Sequence, residues 1–254
     1  MKIATYNVNG IRSALSKGLL DWLAAANPDV LCLQEIKSTE DQISADAFAA
    51  LGYEAFAFPA EKKGYSGVAV FSKVRPDCVI KGMNIQRYDS EGRSIRLDFG
   101  DLTIVNTYFP SGSSGDDRQA FKMEFLTDYQ QYINELKTER PNLVICGDYN
   151  ICHRPIDIHN PVSNKNSSGF LPEERDWMEQ FLNSGFVDSF RALNSEPNNY
   201  TWWSFRAGAR SKNLGWRIDY ICLSDNLSHQ LVSSRILPDA RHSDHCPVIT
   251  ELKR

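Results

Sequence analysis

The sequence has no apolar run long enough to cross a membrane and no apolar stretch near its first residues. None of its 254 residues falls in a segment approaching the roughly 18 apolar residues that a spanning helix requires. The opening residues MKIATYNVNG also lack the apolar core of a secretory signal. These absences predict a cytoplasmic protein that does not bind membranes.

Paired-cysteine motifs are missing as well. The six cysteines, at positions 32, 78, 146, 152, 222 and 246, form no CxxC pair. Most of them lie in apolar, strand-like runs, as reduced core thiols of cytoplasmic proteins do. His242 and His245 could face one another, but a zinc site would need further ligands at suitable spacing. The pattern argues against both disulfides and zinc.

The chain carries no excess of basic residues. Its formal net charge is −4, so the whole surface does not attract phosphate, which argues against a protein that coats nucleic acid. The sequence does leave room for a local basic face. The segment FRAGARSKNLGWR, residues 205–217, contains Arg206, Arg210, Lys212 and Arg217 and no acid.

Several motifs of known catalytic classes are also absent. There is no P-loop and no GxSxG sequence, which argues against nucleoside triphosphate hydrolysis and against an α/β-hydrolase. There is no internal repeat, low-complexity tract or linker that would divide the chain. We therefore expect residues 1–254 to form a single domain.

What the sequence does contain is many short apolar runs rich in Val, Ile, Tyr and Phe, which predict β-strands. These runs are KIATYNV, DVLCLQE, GVAVFS, SIRLDF, LTIVNTYF, LVICGDYN, RIDYICLS and CPVITEL. Apolar stripes at helical spacing predict helices over 11–26, 117–138 and 172–184. The dipeptide GD between residues 93–99 and 102–109 predicts a hairpin. The pattern indicates an α/β protein with two packed sheets and helices outside them.

Polar side chains interrupt or end these predicted strands. They are Asn7, Asn9, Glu35, Tyr108, Asp148, Asn150, Asp219, Asp244 and His245. Taken singly, such a residue is most often a cap or a turn. Asp219 differs, because a carboxylate among apolar neighbours needs a partner, and His245 could donate to it. Since side chains two apart on a strand share a face, Asp148 should converge with Asn150 and Asn7 with Asn9.

Together these residues form a hard, oxygen-rich set. Carboxylates with Asn, Tyr and one His suit Mg²⁺ or Mn²⁺ better than zinc. A magnesium ion combined with an Asp base and a His is a set of groups suited to hydrolysing a phosphodiester.

Specific motifs resemble those of a known family. NVNGIR, LQEIK, GDYN, RSKNLGWRIDY and SDHCPV resemble, in order, the motifs of the exonuclease III family of abasic-site endonucleases, within the endonuclease/exonuclease/phosphatase superfamily. The resemblance runs from about Ile3 to Thr250 and includes NPVSNKNSSGFLPEER, residues 160–175, which looks like the family's long loop and helix start. GDYN and SDH fit any branch of the superfamily, whereas SKNLGWRIDY and NKNSSGF point to the abasic-DNA branch. The resemblance implies a four-layer α/β-sandwich of two mixed β-sheets flanked by helices.

The resemblance also implies a function. It is that of a Mg²⁺-dependent DNA repair endonuclease, with Mn²⁺ as a substitute, that cuts duplex DNA 5′ to an abasic site as a monomer. A 3′–5′ exonuclease or 3′-phosphodiesterase activity is implied beside it. The implied catalytic residues are Tyr108, Asp148, Asn150, Asp219 and His245. The implied metal-site residues are Asn7, Glu35, Asp148, Asn150, Asp244 and His245.

The same resemblance implies a functional role for two tryptophans. A lone Trp is most often core, but Trp202 and Trp216 match positions that wall the family's pocket for an extruded baseless sugar. The implied DNA and pocket residues are Lys165, Asn166, Trp202, Arg206, Arg210, Lys212, Asn213, Trp216 and Ile218. One departure is Asn9, since some members carry Asp there, although exonuclease III itself has Asn.

Two other functions are weighed against this one. A lipid or inositol phosphodiesterase would share the superfamily core, but RSKNLGWRIDY and the lack of a membrane-binding stretch argue against it. A catalytically inactive interaction module would have no chemical reason to keep Glu35, Asp148 and His245 together.

Overall fold

The structure is a computed structural model and describes residues 1–253. Its first seven strands are β1 (Lys2–Asn7), β2 (Val30–Gln34), β3 (Glu54–Phe58), β4 (Val68–Ser72), β5 (Cys78–Lys81), β6 (Ser94–Phe99) and β7 (Leu102–Tyr108). The other strands are β8 (Asn142–Asp148), β9 (Phe186–Asp188), β10 (Trp202–Trp203), β11 (Gly215–Trp216), β12 (Asp219–Ser224), β13 (Leu231–Ile236) and β14 (Val248–Leu252). The α-helices are α1 (Ile11–Ser16), α2 (Leu19–Ala26), α3 (Ala45–Ala49), α4 (Gln86–Asp89), α5 (Asp116–Glu139) and α6 (Pro172–Asn183).

The strands form two six-stranded sheets and one short ribbon. The first sheet has the order β13-β14-β1-β2-β4-β3, and the second has the order β5-β6-β7-β8-β12-β9. Both sheets are mixed, because β1 with β2 and β7 with β8 run parallel while the other neighbours are antiparallel. The ribbon pairs β10 with β11.

The two sheets pack face to face, and helices cover their outer faces. Successive residues of β8 show the arrangement. Val144 and Cys146 belong to the buried cluster between the sheets, whereas Leu143 and Ile145 pack in the cluster that contains α5. On the other side, α1, α2 and α3 pack against the outer face of the first sheet. A strand buried on both faces reads as a continuous apolar run. The predicted four-layer α/β-sandwich is confirmed.

The local predictions are largely confirmed, with one correction. Each of the eight apolar runs contains a strand, and β6 and β7 form the predicted hairpin. The helices predicted over 117–138 and 172–184 are α5 and α6. Residues 11–26 are helical as predicted, but they form two helices instead of one. The chain breaks there into α1 and α2 because Gly18 adopts a left-handed φ of 90°, which ends one helix before the next begins.

All six cysteines are free, and all except Cys78 are buried, in agreement with the thiols expected from their spacing. Within residues 1–253, no helix combines the length and the apolar character that a membrane crossing demands.

The topology brings five chemically important strand ends to one rim of the sandwich. In the first sheet, the parallel strands β1 and β2 end side by side, with Asn7 opposite Gln34. In the second sheet, the parallel strands β7 and β8 end with Tyr108 opposite Asp148. Strand β12 runs the other way, so its first residue, Asp219, pairs with Asp148. The rim is therefore polar, although the strands that lead to it are apolar.

Candidate active site

A cleft of about 430 Å³ opens at this rim. Its lining consists of Glu35, Tyr108, Ser111, Ser113, Asp148, Asn150, Ser168, Gly169, Trp202, Trp216, Ile218, Asp244 and His245. Nine of these thirteen are residues that the sequence singles out. The small residues Ser111, Ser113, Ser168 and Gly169 were not predicted. They lie in the loops PSGSSG and NSSGF, whose composition signals a turn. NSSGF is also part of a motif that resembles the family's, but that resemblance assigned no role to Ser168 or Gly169.

Two carboxylates and one imidazole meet in this cleft. Glu35, Asp148 and His245 each offer a ligand atom, and these atoms lie within 4.8 Å of one another. Glu35 follows β2 with a left-handed φ of 50°. Its carboxylate comes from the first sheet, whereas Asp148 comes from the second. A cation-binding group therefore forms where the two sheets meet.

Asn7 joins these two carboxylates. Its Nδ2 donates to Glu35 Oε1 at 2.9 Å and to Asp148 Oδ2 at 2.8 Å. Its Oδ1 accepts the backbone N–H of Asn9 at 2.9 Å, which fixes the orientation of the amide. In this arrangement Asn7 gives the carboxylates a donor and does not turn an oxygen toward a metal.

Asp148 and Asn150 converge as expected, but through a turn. Strand β8 ends at Asp148, and Asn150 has a left-handed φ of 53°. The backbone N–H of Asn150 donates to Asp148 Oδ1 at 2.8 Å, and Asn150 Nδ2 donates to Phe109 O at 3.0 Å. The two side chains are therefore held together by hydrogen bonds and not by a shared strand face.

His245 is held by Asp219, as the sequence suggested. The imidazole Nδ1 lies 2.9 Å from Asp219 Oδ2 and must donate, because a carboxylate only accepts. The other nitrogen, Nε2, lies 3.9 Å from Asp148 Oδ2. Burial lowers the pKa of His245, but the negative charge of Asp219 outweighs it and the pKa rises to about 10. An imidazolium is therefore expected at neutral pH.

The same environment suits Asp148 to accept a proton. Burial, followed by the negative charge of Asp219, raises the pKa of Asp148 to about 7. A base with a pKa near the working pH is well matched to general-base catalysis. Burial and the nearby charge of Glu35 raise the pKa of Tyr108 well above its ordinary value. Its hydroxyl thus stays protonated and able to donate.

Asp244 lies beside this cluster and not within it. Its carboxylate accepts hydrogen bonds from Asn9 Nδ2 at 3.0 Å, Ser243 Oγ at 3.1 Å and Trp202 Nε1 at 3.0 Å. Burial raises the pKa of Asp244, but the charge of His245 and these donors lower it further than burial raises it. Asp244 therefore anchors Trp202 as an ionised carboxylate.

Asn9 lies close to the cluster, but a turn brings it there and not the strand face that was predicted. Strand β1 stops at Asn7, and Asn9 has a left-handed φ of 44°. Its Oδ1 accepts from Lys37 Nζ, and the same ammonium lies 2.9 Å from Glu35 Oε2. Asn9 thus contacts Glu35 through Lys37, a residue that the sequence did not single out.

The two predicted tryptophans face each other across the ribbon. Trp202 of β10 pairs with Trp216 of β11, and their ring centroids are 5.9 Å apart with an interplanar angle of 87°. Ile218, 5% exposed, packs in the same cluster. A Cβ added to Gly169 would lie 3.0 Å from the Trp216 ring. These residues make one apolar wall of the cleft.

Two arginines of the predicted basic segment point inward. Arg210 donates to the carbonyls of Ser243, Pro238 and Ala240 at 2.6–2.9 Å and stacks on Trp203. Arg217 is 1% exposed and is paired with Asp157 and Asp188. Both guanidinium groups support the loops around the cleft, so neither is a free surface charge. The hydrogen bonds of Arg210 are made within the protein in this structure, and its contact with DNA stays a prediction.

The remaining predicted DNA contacts lie outside the cleft. Arg206, Lys212, Lys165 and Asn166 are exposed. Lys212 Nζ donates to the carbonyl of Ala207. Asn213 is also exposed, but its amide bonds to Trp203 Nε1 and to the carbonyl of Asn198. The basic face is therefore smaller than the sequence indicated.

His242 does not face His245. Its Nδ1 lies 3.3 Å from the hydroxyl of Tyr6, and its ring packs near Trp22. Among residues 1–253, the acid and histidine group of Glu35, Asp148 and His245 is the one candidate metal centre.

Known proteins share this fold and sequence pattern. A family model described as the Endonuclease/Exonuclease/phosphatase family matches residues 4–245. An exodeoxyribonuclease of Bacillus subtilis (strain 168) is 41% identical over 250 residues, which cover 98% of each chain. An AP endonuclease structure from Archaeoglobus fulgidus superposes with a TM-score of 0.93 at 32% identity, covering 100% of both chains. A Neisseria 3′ phosphatase bound to a product DNA hairpin has a TM-score of 0.94 at 28% identity and the same coverage.

Proposed function

The chain belongs to the endonuclease/exonuclease/phosphatase family, and we propose that it is a Mg²⁺-dependent DNA repair endonuclease that hydrolyses the phosphodiester 5′ to an abasic site in duplex DNA. One observation carries this proposal. A single cleft combines a carboxylate pair, an Asp–His pair and a wall of two tryptophans. The relatives named exodeoxyribonuclease and AP endonuclease support it. Trimming of 3′ ends is a second proposed activity of the same site, supported by the Neisseria 3′ phosphatase.

The donor chemistry of the cleft fits magnesium, with manganese as a substitute. Glu35 and Asp148 offer hard carboxylate oxygens of the type that these cations prefer. A bound cation of this type neutralises phosphate charge and stabilises the charge that builds on its oxygens. A metal ligand must be deprotonated, so the raised pKa of His245 favours its acting as a donor to phosphate. The metal roles of Asn7, Glu35, Asp148, Asn150, Asp244 and His245 all remain predictions.

The other steps of the hydrolysis are carried out by residues of the cleft. Asp148 accepts a proton from the water whose oxygen attacks phosphorus, while Asn150 holds the water and the phosphate in place. His245, oriented by Asp219, donates a hydrogen bond from Nε2 to a phosphate oxygen, and Tyr108 donates another. As the bond from phosphorus to the 3′ oxygen breaks, that oxygen takes up a proton from solvent, and Asp148 afterwards returns to solvent the proton that it took from the attacking water. The products are a 3′-hydroxyl end and a 5′-phosphate on the baseless sugar.

The apolar wall supplies the selectivity. A baseless sugar fits against Trp202, Trp216 and Ile218, whereas a normal nucleotide would also need room for its base. The exposed Arg206, Lys212, Lys165 and Asn166 are proposed to contact the DNA backbone on either side, where contacts carry no base information.

The experiment that tests the function compares two substrates. An abasic oligonucleotide duplex and a phosphoinositide are each incubated with the protein in Mg²⁺ and in EDTA. We expect cleavage of the abasic duplex in Mg²⁺ alone. Hydrolysis of the phosphoinositide would favour the lipid or inositol phosphodiesterase instead, and no hydrolysis of either would favour an inactive interaction module.

Replacing Trp216 with Ala should weaken discrimination between abasic and intact duplex. The ratio of the two affinities is expected to fall roughly tenfold, which corresponds to about 1.4 kcal/mol of lost contact. Trp202→Ala should act in the same direction, although it also removes the hydrogen bond to Asp244. Affinities for both duplexes, measured over a salt series, check the prediction.

Two controls accompany the tryptophan variants. Lys212→Ala should weaken binding to both duplexes equally, because a phosphate contact does not read the base. Trp22→Ala removes a half-buried tryptophan outside the cleft and should leave the ratio unchanged. If both cleft variants keep the fold by circular dichroism and show an unchanged abasic-to-intact affinity ratio, Trp202 and Trp216 are ordinary packing residues.

Asn9→Asp should lower the Mg²⁺ concentration that gives half-maximal cleavage. A carboxylate at this position would pair with Lys37 and draw its ammonium away from Glu35. One added charge a few ångströms from the cation corresponds to about 1 kcal/mol, or about fivefold in half-saturating metal. The cleavage rate itself could fall, because added negative charge repels phosphate.

A Mg²⁺ titration of cleavage at fixed DNA and ionic strength measures this effect. Asn27→Asp is the matched control, since Asn27 also accepts from a lysine, Lys73, but lies on the surface away from the cleft. Superimposable curves for Asn9→Asp and the unmodified protein would place Asn9 outside the influence of the metal.

The single-domain organisation, the monomeric state and the cytoplasmic location also remain predictions.

A further inference from the structure

A fully buried ion pair lies directly behind the cleft. Lys122 of α5 and Glu174 of α6 both have 0% exposed side chains, and Lys122 Nζ lies 2.6 Å from Glu174 Oε1. A buried ion pair contributes little net stability, because removing both charges from water offsets their attraction. Packing alone therefore does not explain why a Lys and a Glu occupy these positions.

Both members of the pair bind the backbone of residues that line the cleft. Lys122 Nζ donates to the carbonyl oxygen of Asn150 at 2.8 Å. Glu174 Oε2 accepts the backbone N–H of Gly169 at 2.6 Å and that of Leu171 at 2.9 Å. One charged unit thus holds the turn that carries Asn150 and the loop that carries Gly169.

Gln119 extends this network to a second part of the cleft. Its Nε2 donates to Glu174 Oε1 at 3.1 Å, and its Oε1 accepts from Ser168 Oγ at 2.8 Å. A Cβ added to Gly112 would lie only 1.8 Å from Gln119 Oε1. The loop that carries Ser111 and Ser113 therefore packs directly on Gln119.

Gly169 has little freedom to move without affecting the apolar wall. Its φ is 94°, and a Cβ added there would lie 3.0 Å from the Trp216 ring and 3.1 Å from the carbonyl oxygen of Asn150. Its own carbonyl accepts the N–H of Cys152 at 2.7 Å. The position of Gly169 is thus coupled both to the wall and to the turn after Asp148.

We infer that Lys122 and Glu174, together with Gln119, are positioning residues that fix Asn150 and the wall beside Trp216, and that they thereby set both the rate of cleavage and the selectivity for a baseless sugar. This inference rests on the proposed function. The pair does not reach the cleft itself, so it acts through Asn150, Ser168 and Gly169. A displacement of about 1 Å in such a supporting group can lower a rate on the order of 100-fold.

The first test replaces Lys122 with Met and compares it with Lys137→Met. Lys137 is on the same helix, and its ammonium also donates to backbone carbonyls, those of Ser184 and Gly185, but far from the cleft. Single-turnover cleavage of the abasic duplex is measured well below the melting temperature of each variant. We expect Lys122→Met to be about 10- to 100-fold slower and Lys137→Met to keep the unmodified rate.

Because Lys122→Met leaves Glu174 buried without its cation, a second variant guards against failure to fold. In Lys122→Met with Glu174→Gln, the Gln oxygen can still accept from the backbone of Gly169 and Leu171, whereas the carbonyl of Asn150 loses its lysine donor. This double variant should fold, cleave at least tenfold more slowly and show a lower abasic-to-intact affinity ratio.

Hydrogen exchange gives a readout that does not depend on activity. Exchange of residues 164–171 should accelerate in Lys122→Met and stay unchanged in Lys137→Met. If the double variant cleaves within twofold of the unmodified protein, with unchanged selectivity and exchange, the pair is structural and the inference is overturned. If the unmodified protein does not cleave abasic DNA, the proposed function fails. The exchange of residues 164–171 then still decides whether the pair positions the loop.

Discussion

Replacing Asp148 with Asn is expected to slow single-turnover cleavage of an abasic duplex by about 10³-fold or more. The carboxylate is buried, accepts three hydrogen bonds from Asn7 and Asn150, and has a pKa raised to about 7 by burial and by Asp219. An amide of the same shape cannot take the proton from water, and it removes one negative charge from the metal site. Loss of both contributions accounts for the size of the expected effect.

Binding should survive this substitution. Asp148→Asn keeps the volume of the side chain, and it relieves the desolvation of a buried charge. The variant should therefore bind abasic duplex in EDTA with an affinity close to that of the unmodified protein. A single-turnover rate as high as one tenth of the unmodified value would mean that another group is the base.

Replacing Asp219 with Asn should slow cleavage about 100-fold or more and displace its whole pH profile. Activity requires Asp148 to be ionised and His245 to be protonated, so the profile has an acidic limb set by Asp148, whose pKa a bound Mg²⁺ lowers below its metal-free value, and an alkaline limb set by His245, whose pKa is raised to about 10. The charge of Asp219 raises both pKa values, and an amide removes that contribution. Both limbs of the profile should therefore move to lower pH. The loss of rate follows because the imidazole loses its orienting acceptor.

Asp188→Asn is the matched control for this variant. Asp188 is also a buried carboxylate on a strand of the second sheet, and β9, which carries it, pairs directly with β12. Its partner is Arg217, and Asp188 is not among the main charges that shift the pKa of Asp148 or His245. This control should lower the melting temperature and leave the pH profile in place. A profile of Asp219→Asn that kept its alkaline limb near pH 10 would show that Asp219 does not control His245.

The strands that the sequence predicted and those that it missed differ in their place in the sheets. All eight predicted strands are interior members of the two sheets, whereas β3, β5, β9 and β13 are the four edges. An interior strand is buried on both faces and reads as an apolar run. An edge strand such as Cys78–Lys81 exposes most of its side chains, so its sequence resembles a loop. The strands β10 and β11 of the short ribbon have only two residues each, which is too short for the alternation of apolar and polar residues to be visible.

The site was predicted where chemistry alone identifies a residue, and less well where orientation matters. A carboxylate inside an apolar strand must have a partner, which is why Asp219 and His245 could be paired. The sequence does not show which way an arginine points, so Arg210 and Arg217 were read as surface charges although both are packed inside. The left-handed turns at Asn9 and Asn150 were also invisible, although they bring these residues to their neighbours.

The order of strands in the first sheet has a consequence for how the protein is made. Strand β1, which carries Asn7, is completed on one side by β14, more than 240 residues later in the chain. During synthesis the first sheet is therefore incomplete until β14 has left the ribosome. The strands of the second sheet, residues 78–224, can pair beforehand. A chain that stalls before residue 245 lacks His245 and leaves β1 unpaired on that side. Its incomplete fragments should therefore be unable to nick the genome that the finished protein repairs.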